Sequence, residues 1–414
     1  MKKSMILAAV AALVLCACAK VETVKPVVDE PVSFGVYVPK TTKAGTPGTI
    51  TTNGAESTVS LQTEGFGVFA TYSDGGDYAA TIGPNFMYNT KVSTAAWTYS
   101  PVKYWPNETI NDNNGASGPA NADKLSFLAY APWVNHKEAY GSTGITGLTA
   151  NNATTDPKVT YTISTDPSES VDLLWAVAPT GGISYTDVHN TTVEVAEGMP
   201  LLNLTKPAHD YTLNFLFKHA TSRLALKIIG AFDQVAEGGS LVSPTKVTVS
   251  QIRIVDLPVS TSGVLNLNNT AANTPKWESE SGSSATLVVA GDDLNSTIKD
   301  SGNDEVQSVA GVTETEKNVF ANDNYYFTLI PKNSSTTVRV EITYYVTTED
   351  TDLVAGFSRV QNVITKDITF ASGFQAGKAN TIKITLGLTS VKLAATVENW
   401  DVLAAQNVDL PINH

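Results

Sequence analysis

The stretch VRVEITYYV, residues 338–346, carries the clearest structural pattern in the chain. Its apolar side chains fall on every second residue, at Val338, Val340, Ile342, Tyr344 and Val346. An alternation with a period of two is typical of a β-strand that buries one face and exposes the other. This stretch therefore predicts a strand that covers a core with one of its faces.

The same alternation recurs along most of the chain, between segments rich in Gly, Asn and Pro that favour turns. It is found at 66–72, 125–129, 159–163, 213–217, 224–228, 382–388 and 391–397, with a run at 171–177 that is apolar apart from Asp172. Val247 and Val249 differ in parity from Ile252 and Ile254, which predicts a β-bulge near Gln251. Short alternating strands of this kind predict an all-β fold of antiparallel sandwiches.

Composition narrows the class of protein. The chain has 414 residues and a mass of 43.8 kDa, a length that suggests two domains of about 100–200 residues each. Its formal net charge is -13, so it lacks the basic surface that a nucleic-acid-binding protein needs. Cys16 and Cys18 are the two cysteines, which excludes disulfides, cysteine zinc sites and thiol nucleophiles from the rest of the chain.

The N-terminus has the features of a signal peptide. Two lysines precede an apolar run at 5–15, which is shorter than the ~20 residues of a spanning helix but long enough for a signal h-region. The run ends in LCAC (15–18), which resembles a bacterial lipobox and makes Cys18 the predicted lipidation site. Acyl chains on Cys18 would attach the protein to the outer membrane. The alternative is an ordinary secretory peptide with unrelated cysteines.

An isolated strand follows the signal peptide. Val32, Phe34, Val36 and Val38 alternate, and the next segment, 39–52, is rich in Thr, Gly and Pro and predicts an exposed loop.

The predicted organisation has four parts. They are a lipoprotein signal peptide (1–17), a tether with the first strand and loop (18–52), an N-terminal β-sandwich domain (53–209) and a C-terminal β-sandwich domain (210–414).

Catalytic, cofactor and metal motifs are missing from the sequence. The five histidines lack metal-ligand spacing. Paired carboxylates at 292–293, 304–305 and 349–350 lie in segments typical of solvated loops. Nucleophile elbows and phosphate loops do not occur either. We therefore expect a protein that is not an enzyme and that uses no cofactor or metal.

A cluster of aromatic residues has two interpretations. Trp97, Tyr99, Tyr104 and Trp105 lie within one short segment. Buried, they would anchor the core of the first domain; exposed, they would form a platform on which sugars stack. The core is favoured because Trp97 and Tyr99 share one strand face.

Several segments resemble one known family. They are GFGVFATY (65–72), FMYN (86–89), WTYSPVKYWPN (97–107), DKLSFLAYAP (123–132), DLLWA (172–176), FKHATSRL (217–224) and ATVENWD (395–401). Together with the lipobox and its tether, they resemble the fimbrillins, the lipoprotein-precursor pilins of type V pili.

The resemblance implies a fold and an assembly mechanism. The fold is two transthyretin-like β-sandwich domains in tandem. The precursor would reach the outer membrane as a lipoprotein, where a trypsin-like protease cuts the loop after the first strand. Loss of the strand would open a hydrophobic groove, and a donor strand of another pilin subunit would fill it by β-strand addition.

The processing site is one point where the chain departs from the family. The removable strand corresponds to residues 32–38, and the cut would fall between Lys43 and Ala44. The family usually has arginine at the cut, whereas the first arginine here is Arg223. Three alternatives stay open: a lysine-tolerant protease acts at Lys43, the protein stays uncleaved and lipid-anchored, or Lys43 is an ordinary loop lysine.

The candidate donor strand is the C-terminal tail. Val408, Leu410 and Ile412 alternate there around Pro411, which removes one backbone donor, as on an edge strand. A stalk subunit needs a free donor strand and a tip subunit does not, so stalk, tip and anchor subunits all stay open.

We therefore expect a structural or tip subunit of a type V fimbria that serves cell adhesion. Its partners would be other pilin subunits, the outer membrane and surface ligands of a host or of other bacteria, without nucleic acid. The alternative is a surface glycan-binding lipoprotein of a nutrient-uptake system, in which Trp97, Tyr104 and Trp105 are exposed. The burial of these rings distinguishes the two.

Overall fold

A computed structural model describes residues 30–37, 49–51, 58–94, 96–106, 122–232, 235–236, 240–241, 245–302, 311–323, 325–388 and 391–400. Within these ranges the regular structure is almost entirely β, which confirms the all-β prediction. The α-helix α1 is a single turn at Leu61–Glu64. The described helices are all too short to cross a membrane.

The strands follow one another along the whole described chain. In chain order they are β1 (Ser33–Val36), β2 (Thr49–Thr51), β3 (Thr58–Ser60), β4 (Phe66–Ser73), β5 (Met87–Val92), β6 (Lys124–Ala131), β7 (Gly144–Leu148), β8 (Lys158–Thr162), β9 (Leu174–Val177), β10 (Ile183–Thr186), β11 (Thr192–Val195), β12 (Leu201–Leu204), β13 (Thr212–His219), β14 (Ser222–Gly230), β15 (Val235–Ala236), β16 (Ser240–Leu241), β17 (Thr245–Leu257), β18 (Ser262–Asn266), β19 (Lys276–Ser281), β20 (Ala285–Ala290), β21 (Lys317–Asn318), β22 (Phe327–Leu329), β23 (Thr336–Glu349), β24 (Phe357–Phe370), β25 (Lys378–Leu386) and β26 (Val391–Asn399).

The first half of the chain is built on a seven-stranded sheet in the order β1-β13-β9-β6-β4-β5, with β12 paired to β6. Alternate side chains of a strand point to opposite faces, and both faces of this sheet are buried. Phe127 and Phe215 pack on one face in a first core. Phe69 and Trp175 pack on the other face in a second, larger core.

A four-stranded sheet, β19-β18-β8-β7, covers that second core. It combines β7 and β8 with β18 and β19, so it draws strands from both sides of the boundary predicted at 209/210. The hydroxyl of Tyr161, in β8, lies 2.6 Å from Oγ1 of Thr328, in β22. The boundary between the two domains stays a prediction.

Two further sheets form the second half. One has the order β21-β14-β25-β26 with β22 on β14, and the other has the order β20-β17-β23-β24. Both send side chains into the second core, including Leu226 and Ile384 from the first sheet and Ile342 from the second. The register of β17 against β23 shifts between Val249 and Gln251, which confirms the predicted β-bulge. The transthyretin-like sandwich pair stays a prediction.

Two strand pairs depart from the antiparallel arrangement that all other described pairs adopt. β1 runs parallel to β13, and β14 runs parallel to β25. In each case the two paired strands lie far apart in the sequence.

The described chain ends on a buried anchor, Trp400, directly after β26. Its indole stacks on the His219 ring with the centroids 4.1 Å apart and the planes 5° from parallel. The Trp400 amide donates to the carbonyl of Gly377 at 2.8 Å, and His219 Nδ1 lies 3.0 Å from Asp172 Oδ1. The point from which the C-terminal tail leaves is therefore tied to both β13 and the turn before β25.

Candidate functional site

The first strand, β1, lies at one edge of the seven-stranded sheet, between β13 and the segment 103–105. We call the space that it fills the cleft. Its parallel register places Ser33 opposite Thr212 and Val36 opposite Phe215. The amide of Tyr37 donates to the carbonyl of Phe215 at 2.8 Å. β1 has only 4 residues, so a short ladder holds its backbone to the sheet.

The inward face of β1 is strongly apolar. Val32 is 1% exposed and Phe34 is 4% exposed. The Phe34 ring has its centroid 5.4 Å from that of Tyr99, 5.6 Å from Phe127 and 5.8 Å from Phe215. Burying a large apolar side chain stabilises by about 1.5–3 kcal/mol, and an aromatic pair adds roughly 0.5–1.5 kcal/mol. Phe34 and Val32 therefore contribute most of the free energy that holds β1 in the cleft.

A second segment, 103–105, covers the other edge of β1 near its N-terminal end. The Val32 amide donates to the Lys103 carbonyl, and the Trp105 amide donates to the Glu30 carbonyl, both at 2.9 Å. The Tyr99 hydroxyl donates to the Val32 carbonyl at 2.7 Å. Burial raises the pKa of Tyr99 above its ordinary value, so the hydroxyl keeps its proton and stays a donor.

The space beside the outward face of β1 is narrow at Gly35. A Cβ placed on Gly35 would lie 2.4 Å from Oδ1 of Asn214. The Asn214 amide in turn donates to the carbonyl of Thr212 at 3.1 Å. Any other residue at this position of the cleft therefore requires the Asn214 side chain to move.

The N-terminal end of the cleft contains two buried polar atoms without partners in the described part of the chain, Glu30 Oε1 and Trp105 Nε1. Burial raises the pKa of Glu30 above its ordinary value of 4.5, and the positive charge of Lys206 only partly opposes this shift. A buried carboxylate without full hydrogen bonding is unfavourable. This end of the cleft therefore weakens the seating of β1.

The aromatic cluster belongs mainly to the walls of this cleft. Trp105 is 4% exposed and packs with Phe127. Trp97 and Tyr99 are half-buried against the first core, whereas Tyr104 is exposed. The core interpretation is thus supported, and the three rings required by the glycan platform do not share an exposed surface.

The predicted site residues divide between the cleft and the rest of the chain. The structure places Val32, Phe34 and Val36 together on the inward face of β1, with Val36 half-buried. The other predicted residues lie outside the described residues: Cys18, Val38, Lys43, Ala44, Val408, Leu410 and Ile412. Their roles stay predictions.

The sequence did not reveal the neighbours of β1. β13 was recognised as an alternating strand, but alternation carries no signal for a partner so distant in the chain. The pairing of segment 103–105 with β1 was missed for the same reason. The one available signal was the aromatic cluster, because Tyr99 and Trp105 both contact β1 or its flank.

The described residues contain no group of three or more His, Cys, Asp or Glu that could hold a metal ion. What the cleft offers is an apolar channel bordered by the edge of β13. Such an edge presents backbone donors and acceptors to any strand that enters the channel.

Comparison with known proteins gives two informative matches. The chain is 24% identical over 375 residues to the fimbrium subunit Fim1C of Phocaeicola vulgatus, covering 85% of this chain and 86% of that protein. It superimposes on the crystal structure of a fimbrial protein from Bacteroides vulgatus with a TM-score of 0.58 and 20% identity, covering 90% of this chain and 100% of that one.

A putative cell adhesion protein from Bacteroides uniformis matches more weakly, with a TM-score of 0.39 and 14% identity over 81% of this chain and 91% of that one. No protein-family model matches. The first two relatives are named as a fimbrium subunit and a fimbrial protein, which agrees with the expectation of a non-enzymatic protein. The fimbrillin resemblance identified in the sequence is therefore confirmed along most of the chain: this protein is a homologue of a fimbrium subunit.

Proposed function

We propose that this protein is a subunit of a type V fimbria that serves adhesion at the bacterial surface. It is exported as a lipoprotein attached to the outer membrane through Cys18. Cleavage after Lys43 frees β1, and the C-terminal tail of another subunit takes its place. The observation that carries this proposal is the cleft itself, in which the 4-residue edge strand β1 and the residue before it fill an apolar channel with Phe34 and Val32.

The energetics of the cleft favour replacement. An emptied channel would expose Phe127, Phe215 and Tyr99 along with the backbone edge of β13. Exposed apolar surface and unpaired strand edges are both unfavourable in water. A donor strand removes both at once, so loss of β1 drives subunits together.

Proteolysis of the purified precursor tests the assembly. We expect trypsin to remove β1 from the wild-type protein and to produce ladders of subunits on a denaturing gel without boiling. The Lys40→Ala/Lys43→Ala variant should stay a monomer, since it lacks the loop cleavage sites. Wild-type protein that loses β1 yet stays monomeric would contradict the proposal.

A variant that ends at Trp400 is the matched control for the tail. It keeps the cleft but has no donor, so after trypsin it should form no ladder alone and should shorten the ladder of wild-type protein in a mixture. Ladders formed by this variant alone would show that the tail is not the donor.

Lipid attachment has a separate test. In cells fed a tagged fatty acid, Cys18→Ser should abolish incorporation of the label, whereas Cys16→Ser should leave it unchanged. Label that persists in Cys18→Ser would remove the proposed anchor while leaving strand exchange in place.

A further inference from the structure

The cleft imposes a direction on any strand that replaces β1. Successive residues of a strand send their N–H and C=O groups to opposite edges, and for L-residues the edge is fixed by the side-chain face and the chain direction. The contacts of β1 show which residues use which edge. The N–H groups that β13 requires of an incoming strand can therefore be compared with the N–H groups that the tail has.

In β1 the backbone N–H and C=O groups of the inward residues point away from β13. The Val32 amide donates to Lys103, on the side opposite β13, whereas the Tyr37 amide donates to Phe215 of β13. Ser33 and Gly35 have the parity of Tyr37. They are outward residues, and their amides face β13; in the parallel register the Gly35 amide faces the Leu213 carbonyl.

The tail has the same spacing as β1. Val408, Leu410 and Ile412 match the three inward positions held by 32, 34 and 36, so Leu410 takes the Phe34 pocket in either direction. The outward residues are then Asp409 and Pro411. Pro411 has no N–H.

A parallel tail would place Pro411 in the position of Gly35. There the missing N–H would leave the Leu213 carbonyl without its ladder donor. A buried carbonyl without a partner is costly. The parallel direction of β1 is therefore unfavourable for the tail.

If the strand is reversed while the same side chains stay inward, each residue sends its N–H and C=O groups to the opposite edge. The inward residues, which all have an N–H, then face β13, and Pro411 occupies the position of Ser33 with its nitrogen turned to the outer edge. The Lys103 carbonyl on that edge lies 3.2 Å from the Tyr99 hydroxyl, which is released when the Val32 carbonyl leaves. Asp409 then takes the position of Gly35, where its Cβ requires the Asn214 side chain to move; after that movement the Asp409 carboxylate can accept from the Asn214 amide.

We infer that the donor tail enters the cleft antiparallel to β13, opposite in direction to β1, with Ile412, Leu410 and Val408 in the pockets of Val32, Phe34 and Val36. This inference rests on the proposed function and adds to it the direction and register of the donor strand. It turns a parallel pair in the precursor into an antiparallel pair in the assembled form.

Backbone N-methylation of a synthetic peptide with the sequence of residues 401–414 tests the direction. A methyl group on the amide of Leu410 removes a hydrogen bond to β13 only in the antiparallel arrangement. A methyl group on the amide of Asp409 removes a hydrogen bond to β13 only in the parallel arrangement. With the trypsin-treated variant that ends at Trp400, whose cleft has no competing tail, we expect the Leu410 methyl to weaken binding by about tenfold or more and the Asp409 methyl to change it by less than about threefold. Fluorescence anisotropy of the labelled peptide measures both.

The opposite ranking of the two peptides would overturn the inference while leaving strand exchange intact. An unmodified peptide that fails to bind would contradict the proposed donor and, with it, the direction. Engineered cysteines give an independent measurement: polymers should form a disulfide between Asp409→Cys and Asn214→Cys. Cross-linking of Asp409→Cys to Thr212→Cys in its place would show the parallel arrangement.

Discussion

The two parallel strand pairs, β1 with β13 and β14 with β25, have the same pairing but different positions in their sheets. β1 has 4 residues, lies at the edge of its sheet and, among the described residues, borders segment 103–105 on its free side. β14 has 9 residues, and β21 and β22 pair along its other edge, while β26 closes the far side of β25.

This difference teaches which strand can be exchanged. β14 follows β13 after a short turn, and its removal would break two edges and a long ladder at once. β1 can leave by losing one short ladder, the two backbone hydrogen bonds with segment 103–105 and a few side-chain contacts. The parallel pair β14–β25 is therefore a fixed part of the fold, whereas in the parallel pair β1–β13 the strand β1 can be replaced.

The largest effect is expected for Phe34→Ala in β1. Truncating a buried phenylalanine costs about 3–5 kcal/mol, and here the cost should appear as opening of β1. Amide exchange at Tyr37 should accelerate by on the order of 100-fold or more, as follows from that cost. Val360→Ala, at a 58% exposed position of β24, is the control and should leave the exchange unchanged. Unchanged exchange at Tyr37 in Phe34→Ala would mean that β1 does not open separately.

Leu226→Ala in β14 should act on the whole molecule. Leu226 is fully buried in the second core, so its truncation should lower the global free energy of unfolding by about 2–5 kcal/mol. Denaturant unfolding measures this loss. A variant that instead accelerated exchange only within β14, with the same global stability, would remove the contrast between the two parallel pairs.

A smaller effect is expected for Tyr99→Phe. It removes the hydroxyl that donates to the Val32 carbonyl at 2.7 Å and should weaken the seating of β1 by about 0.5–1.5 kcal/mol. The rate of trypsin cleavage in the following loop should rise accordingly. Tyr104→Phe is the matched control, because Tyr104 is exposed. Equal rates in the two variants would exclude a role for the Tyr99 hydroxyl.

The smallest effect concerns pH and Glu30. Its pKa is raised by burial, so the neutral form favours seated β1: this contribution is complete below the ordinary pKa of 4.5 and is lost as the pH rises through the raised value. Glu30→Gln should therefore slow the opening of β1 at neutral pH and flatten its pH dependence above 4.5. A wild-type opening rate that does not change across this window would contradict the assignment.

The strands themselves could be predicted from the sequence, because a period of two is a local property. The β-bulge at Gln251 was predictable for the same reason, since a change of parity is visible in four neighbouring apolar residues. The apolar run at 171–177 gave a strand only over Leu174–Val177. Its first part contains Asp172, which is buried next to His219.

The cleft was only half predictable. Val32 and Phe34 could be assigned to a buried face from their alternation, but the parallel direction of β1 depends on the distant strand β13. The narrow space at Gly35 likewise depends on Asn214. Such features arise from contacts between remote segments, which the sequence records in no local pattern.

Trp400 has a consequence for the mechanics of a fimbria built in the proposed way. Its stack on His219 fixes the point where each subunit ends and its linker begins. Between that point and Val408, the first seated residue, lie residues 401–407, which can span at most roughly 28 Å. Each joint of the filament would then bend within a radius set by this short linker, and lengthening it residue by residue would tune the flexibility of the fibre without touching either subunit.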